Sequence, residues 1–203
     1  MTKVHTRTSS LRSRLQALVV AMVWGGPYLV VATAVIPWAG CSTLQRPDGG
    51  TGMLSEGETV PALSARDHNG TELSLESLRG KVIVVYFYPK DATPGCTKEA
   101  CAFRDVWSRY EEKGIVVLGV SRDDTASHQS FAKEHELPFS LISDEDGKWG
   151  QAFGVGSMVG MHKRVSFLVG PDGKIARVYP KVDPGVHAEQ VLNDAQALAS
   201  PSS

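Results

Sequence analysis

The sequence predicts an α/β domain with a largely parallel but mixed central sheet, and three observations predict it. Short runs that are almost wholly β-branched, aliphatic or aromatic read as strands: 82–88 buried on both faces, 115–120 a second buried strand, and 139–142 a third. Between them lie segments whose apolar residues recur every three or four positions, the period of a helix packed on one side. Late in the chain, 165–169 and 175–179 flank Pro171-Asp172-Gly173, a turn signal that makes an antiparallel hairpin and so a mixed sheet.

In chain order, residues 1–16 are polar, basic and rich in Ser and Thr. Residues 17–40 then run for 24 positions without Asp, Glu, Lys or Arg, enough to span a bilayer, although Gly25-Gly26-Pro27 and Pro37 would bend a helix. Basic lead, apolar run and small residues before a cut describe a signal sequence. Ala39-Gly40-Cys41 resembles the end of a bacterial lipobox, which would lipidate Cys41; Trp38 stands where a lipobox usually has an aliphatic residue. An uncut anchor is the alternative, and either form tethers the protein to a membrane, with a lipoprotein on the extracytoplasmic face as the first expectation. Residues 41–57, rich in Gly and polar side chains, read as a flexible linker, and the globular domain is expected over 58–203.

Within that domain, 60–65 and 71–75 flank Asp67-His68-Asn69-Gly70 as two short strands joined by a turn, and 75–78 forms a single helical turn. The strand 82–88 follows. A helix over 97–112 places Ala100, Phe103, Val106, Trp107 and Tyr110 on one face and stops at Gly114. After the strand 115–120 come a helix over 126–135 ended ahead of Pro138, the strand 139–142 and a short helix over 147–153. The hairpin and a C-terminal helix over 184–198 complete the domain. Trp107 and Trp149 are expected in the core, and the six histidines as surface or satisfied polar residues rather than ligands.

The formal net charge of −1 excludes a strongly basic, nucleic-acid-binding surface. Lys3, Arg7, Arg12 and Arg14 make the first forty residues +4, which leaves −5 for the rest. Three cysteines, Cys41, Cys96 and Cys101, are too few for a disulfide-stapled scaffold and point to catalytic or modified sulfur. There is no Gly-rich phosphate loop and no Cys-x-x-Cys pair.

The chemistry gathers in Tyr86-Phe87-Tyr88-Pro89-Lys90-Asp91-Ala92-Thr93-Pro94-Gly95-Cys96. Pro89 ends a strand and fixes the entry to a loop, and Cys96 falls where a helix begins. Unpaired N–H groups and the positive end of the helix dipole favour thiolate over thiol there. Thr93, three residues earlier, can reach the sulfur or a bound oxygen within one turn. Such a thiolate can attack a peroxide oxygen and become a sulfenic acid, which condenses with a second thiol to a disulfide. Cys101 offers that thiol. On an intact helix, however, five residues mean about 7.5 Å of rise and about 140° of rotation, beyond the reach of a disulfide, whose Cα atoms are rarely more than about 7 Å apart. The first turns of this helix must therefore unwind for the bond to form.

Pro89-x-x-x-Thr93-x-x-Cys96 resembles the peroxiredoxin active-site signature, and the Cys96/Cys101 spacing resembles the bacterioferritin-comigratory or Q-type branch. Residues 160–169, Gly-Met-His-Lys-Arg-Val-Ser-Phe-Leu-Val, are similar to the segment that carries that family's active-site arginine, which would be Arg164. The resemblance, over 58–198, implies a thioredoxin-like fold and reduction of hydrogen peroxide or organic hydroperoxides. It further implies that Cys101 acts as resolving thiol, that no metal or organic cofactor is needed, that thioredoxin or another dithiol protein is the reductant, and that the state is monomeric. Arg104 also lies where the branch carries arginine, and a surface ion pair explains it equally well. Two other readings share the fold. A membrane-tethered thiol–disulfide oxidoreductase would use Cys-x-x-Cys, whereas four residues intervene here. A copper-binding assembly factor would need cysteines three apart and a distant histidine, for which His162 is the nominee.

Overall fold

The computed structural model describes residues 44–199. The leader over 1–40 and Cys41 lie outside the described residues, and among those described no helix is long and apolar enough to cross a membrane.

A five-stranded sheet forms the centre. Its strands are β3 (Ile83–Phe87), β4 (Val116–Ser121), β5 (Ser140–Ser143), β8 (Val165–Val169) and β9 (Ile175–Tyr179), in spatial order β5-β4-β3-β8-β9. The β3–β4 and β4–β5 pairs are parallel, whereas β3–β8 and β8–β9 are antiparallel. β3 is the middle strand, and every residue of β3 and β8 is buried, as their unbroken apolar runs require.

Alternation along β3 feeds two cores. Val84 and Tyr86, with Val82 and Tyr88 at the strand's ends, pack on one face. There they meet Phe103 of α1 (Pro94–Asp105), Tyr110 of α2 (Trp107–Glu112), Phe131 of α3 (Thr125–Glu134) and Val191 and Leu192 of α5 (His187–Ala199). Ile83, Val85 and Phe87 face the other way, onto Trp149 and Phe153 of α4 (Lys148–Phe153) and onto Leu54, Val60 and Leu75. Burial of each such aromatic or aliphatic side chain contributes about 1.5–3 kcal/mol. Gly119 of β4 is required where it stands, since a Cβ there would lie 2.7 Å from the Tyr86 hydroxyl and from Leu141. Two small antiparallel ladders complete the domain: β1 (Ser64–Arg66) with β2 (Glu72–Ser74), and β6 (Ser157–Met158) with β7 (Met161–His162).

Several elements differ from expectation. The single helix over 97–112 is two. It starts earlier, at Pro94, and breaks where Val106 takes φ −110°, ψ 13°. Residues 75–80 form turns without a helix, and the β6–β7 hairpin has no counterpart in the expected elements. The expected linker over 41–57 is, from residue 44, packed onto the domain. Leu54 is 2 % exposed inside the second core, its amide donates to the Phe153 carbonyl, and Arg46 is buried between Asp48 and Glu58. One apolar plug and one two-carboxylate clamp hold a stretch whose composition suggested freedom.

Candidate active site

The loop after β3 and the start of α1 build the site. Asp91 anchors the loop although its carboxylate is buried. Tyr88 Oη donates to Oδ1 at 2.7 Å, while Ser127 Oγ and His128 Nδ1 reach Oδ2 at 2.7 and 2.8 Å. Burial pushes this carboxyl up, but the bonds from His128, Tyr88 and Ser127 outweigh it and hold it below the ordinary range. The Asp91 amide donates to Asp123 Oδ2 at 2.9 Å, so both backbone and side chain are fixed to α3 and the end of β4. Ala92 then takes φ +54°, a left-handed conformation that costs a residue with a Cβ about 1–2 kcal/mol. The neighbouring Asp91 contacts hold that kink, and it turns the chain into the helix.

Thr93 is the N-cap residue with an extended backbone, and Pro94 opens α1 at a position that needs no donor. The Thr93 hydroxyl donates to the Lys90 carbonyl at 3.0 Å and not to the sulfur, which leaves its lone pairs facing outward as acceptors. Cys96 lies in the first turn with 2 % exposure, where the Gly95 and Cys96 amides have no carbonyl one turn behind them. Arg164, which immediately precedes β8, donates from Nη2 to Cys96 Sγ at 3.1 Å. Its Nη1 pairs with Glu99 Oε2. A Cβ on Gly95 would stand 3.4 Å from Nη2, an ordinary van der Waals contact, so the guanidinium packs directly over the first turn of the helix.

Glu99 is not among the residues expected at the site. It is fully buried, three residues after Cys96 and four before Phe103, on the apolar stripe itself. That spacing was the available signal. Burial raises its carboxyl to about 7, and the Arg164 charge and hydrogen bond offset this only in part. Arg164 thus holds the sulfur with one nitrogen and, with the other, a carboxyl that burial has raised. Because the folded pKa lies above the ordinary value of 4.5, the protonated carboxyl is favoured in the fold. Its contribution is full below about pH 4.5 and is lost as pH rises through about 7. Glu99→Gln is therefore expected to gain stability over wild type as pH rises across that window. The ceiling is about 3 kcal/mol, from about 1.4 kcal/mol per pKa unit. Urea denaturation at pH 5 and pH 8 checks this, and equal differences at the two pH values would place the carboxyl in water.

Of the residues expected at the site, the structure brings Cys96 and Arg164 into contact. Thr93 sits one turn ahead, and half-buried Pro89 stands at the end of β3. Cys101 is partly exposed, lies on the same unbroken helix as Cys96, and is a free thiol like it. Arg104 pairs with Asp105 at 2.7 Å and donates to the His135 carbonyl at 2.9 Å, the surface role foreseen as its alternative. His162 Nε2 is engaged by Asp144 Oδ2 at 2.9 Å, and among the described residues no group of three or more His, Cys, Asp or Glu is placed to hold a metal ion.

A profile of the AhpC/TSA family matches residues 57–178, well over half of the chain. The chain belongs to the AhpC/TSA family. It is 43% identical over 146 residues to a bcp peroxiredoxin of Coxiella burnetii, an alignment that covers 68% of this chain and 97% of that protein. It is 40% identical over 153 residues to the chloroplastic peroxiredoxin Q of Triticum aestivum, covering 72% of this chain and 69% of that one. Among solved structures, the peroxidoxin BcpB of Mycobacterium tuberculosis superposes with a TM-score of 0.67 at 32% identity, covering 72% of this chain and 99% of that chain. The bacterioferritin comigratory protein of Xanthomonas campestris does so with 0.65 at 34%, covering 72% and 100%. The thioredoxin-like fold and the bacterioferritin-comigratory or Q-type peroxiredoxin class are thereby established, and with them a thiol peroxidase, an oxidoreductase. The thiol–disulfide oxidoreductase and copper-factor readings are not favoured.

Proposed function

We propose that this peroxiredoxin reduces hydrogen peroxide and organic hydroperoxides through Cys96, with Cys101 as the resolving thiol. The observation that carries the assignment is the Arg164 Nη2–Cys96 Sγ contact of 3.1 Å at the first turn of a helix. A guanidinium and the helix N-terminus together stabilise the thiolate. The sulfur attacks the terminal oxygen of the peroxide: the S–O bond forms, the O–O bond breaks, and the alkoxide or hydroxide leaves and takes up a proton. Arg164 and the first-turn amides stabilise the charge that develops on the oxygens. Thr93, its own proton committed to Lys90, accepts the hydrogen bond of the hydroperoxide O–H, and Pro89 shields the thiolate. With the sulfur almost wholly covered, the slender –OOH end of a substrate reaches it and a bulky electrophile does not. Organic peroxides fit this description, and the structure of the Xanthomonas campestris relative is described in terms of alkyl peroxide reduction.

The sulfenic acid then condenses with Cys101, forming S–S and releasing water. Since both cysteines lie on α1, the helix opens at its first turns for this step while Asp91 stays fastened to His128, Ser127 and Asp123. A dithiol protein of the thioredoxin type reduces the disulfide. Cys101→Ser is expected to consume one equivalent of peroxide per chain at an unchanged rate. Its turnover with a dithiol protein should fall about 10-fold or more, since resolution loses the effective concentration of an intramolecular thiol. Stopped-flow oxidation and steady-state assays read the two steps, and normal cycling would assign Cys101 a structural role.

The uncharged run over 17–40 and Ala39-Gly40-Cys41 support a further reading, a membrane-tethered protein on the extracytoplasmic side with Cys41 lipidated. The intact mass of the mature protein from its membrane distinguishes lipidation at Cys41 from another cut and from an uncut anchor.

A further inference from the structure

Most exposed large apolar side chains of the described residues fall in two short segments. Seven are exposed: Leu44, Met53, Met158, Val159, Met161, Val186 and Leu198. The first five belong to two segments linked through Gly154. Residues 44–53 form a small loop closed by the Gln45–Thr51 bridge and by the Gly52 amide donating to the Leu44 carbonyl at 2.8 Å. The β6–β7 hairpin carries the other three. The loop packs on the end of α4, where a Cβ on Gly154 would lie 1.9 Å from the Gly52 carbonyl oxygen and 2.7 Å from Met53 Cα, and the hairpin begins three residues further on.

The hairpin tip is costly in water. Val159 is 90 % exposed and Met158 68 %. Val159 has φ +53° and Gly160 φ +76°, the mirror-image turn that Asn-Gly or Asp-Gly fills without strain. A β-branched residue there is a conformational outlier. Strain and exposure at one apolar residue point to contact with something apolar.

We propose that this face, Leu44, Met53 and the Met158–Met161 tip, rests in the surface of a lipid bilayer. The inference rests on the membrane-tether reading above. Gly40 ends the uncharged run, and four Cα steps of at most 3.8 Å separate it from Leu44. With a lipid at Cys41 in the membrane, Leu44 lies within about 15 Å of it, and Gly154, packed against Gly52 and Met53, starts the short stretch of chain that leads from that loop to the hairpin. Five apolar side chains in two short segments are few for a stable protein partner. Such an interface covers about 800 Å² on each side, whereas a tethered domain needs only a few apolar side chains to set its orientation, because the tether supplies the local concentration. Lys163 is exposed directly after the hairpin, where a long basic side chain reaches the headgroups.

The test uses the full chain in phosphatidylcholine–phosphatidylglycerol vesicles that contain a phospholipid with a photoactivatable acyl chain. Cross-linked residues are mapped by mass spectrometry, and flotation of the vesicles is scored in parallel. The inference expects label at 157–162 and at Leu44 or Met53, besides the leader. It also expects a Met158→Asp, Met161→Asp double variant to float equally while its hairpin label drops at least about fivefold. Label confined to residues 1–43 in a chain that floats would overturn the inference and keep the tether. A chain that neither floats nor takes label would overturn both.

Discussion

Replacing Cys96 with serine is expected to abolish peroxide consumption, with a loss of about 10³-fold or more. The neutral hydroxyl is a weak nucleophile, and neither Arg164 nor the helix N-terminus lowers its proton affinity far enough to make an alkoxide at neutral pH. The substitution is nearly isosteric at a site 2 % exposed, and the serine Oγ can still accept from Arg164 Nη2, so the fold survives. Peroxide decay and a thermal melt should be measured on the same sample. Retained activity with an unchanged melt would remove Cys96 from the mechanism.

The second large effect is expected at Arg164. Arg164→Ala removes the cation beside the sulfur, and the second-order rate with peroxide is expected to fall about 10²-fold, the usual cost of losing one preorganised donor in an active site. Alkylation of Cys96 should shift to higher pH for the same reason. Stability responds differently on either side of neutrality. Arg164 is the partner that offsets the burial of Glu99, so its loss drives that carboxyl above about 7. Below that pH the carboxyl stays protonated and the variant is only moderately destabilised. Above it, ionisation leaves an unpaired buried charge, and stability falls as pH rises. Arg164→Lys should recover part of the rate, since one ammonium cannot present two parallel nitrogens to sulfur and carboxylate. Stopped-flow rates at pH 6 and pH 8.5, with denaturation at both, test the pair. An unchanged peroxide rate would mean that another cation serves Cys96.

Much of this architecture was legible because burial on both faces leaves a plain mark. The runs that became β3, β4 and β8 carry no charge, and a strand that packs two cores can carry none. The β8–β9 turn was legible in Pro171-Asp172-Gly173, where Gly173 takes φ +75°. Cys96, Thr93 and Arg164 were legible through a motif, but only the fold could put Arg164, 68 positions away, on the sulfur. What stayed hidden depended on partners remote in sequence. Glu99 looks like any helical acid until Arg164 arrives. Residues 44–57 look like a linker until Leu54 meets Phe153 and Arg46 meets Glu58. The β6–β7 tip hides behind Val159, which is the wrong residue for its turn.

In the proposed mechanism helix α1 is both the scaffold of the thiolate and the element that opens. Asp91 and its four partners fix the loop ahead of that helix, and the account depends most on the bond that the opening permits. The direct measurement is peptide mapping without reductant, after one equivalent of hydrogen peroxide has been added to the full chain. The account predicts a Cys96–Cys101 disulfide within a single chain, and in Cys101→Ser a single added oxygen on Cys96. A first oxidation at Cys101, or a disulfide that joins two chains, would contradict it.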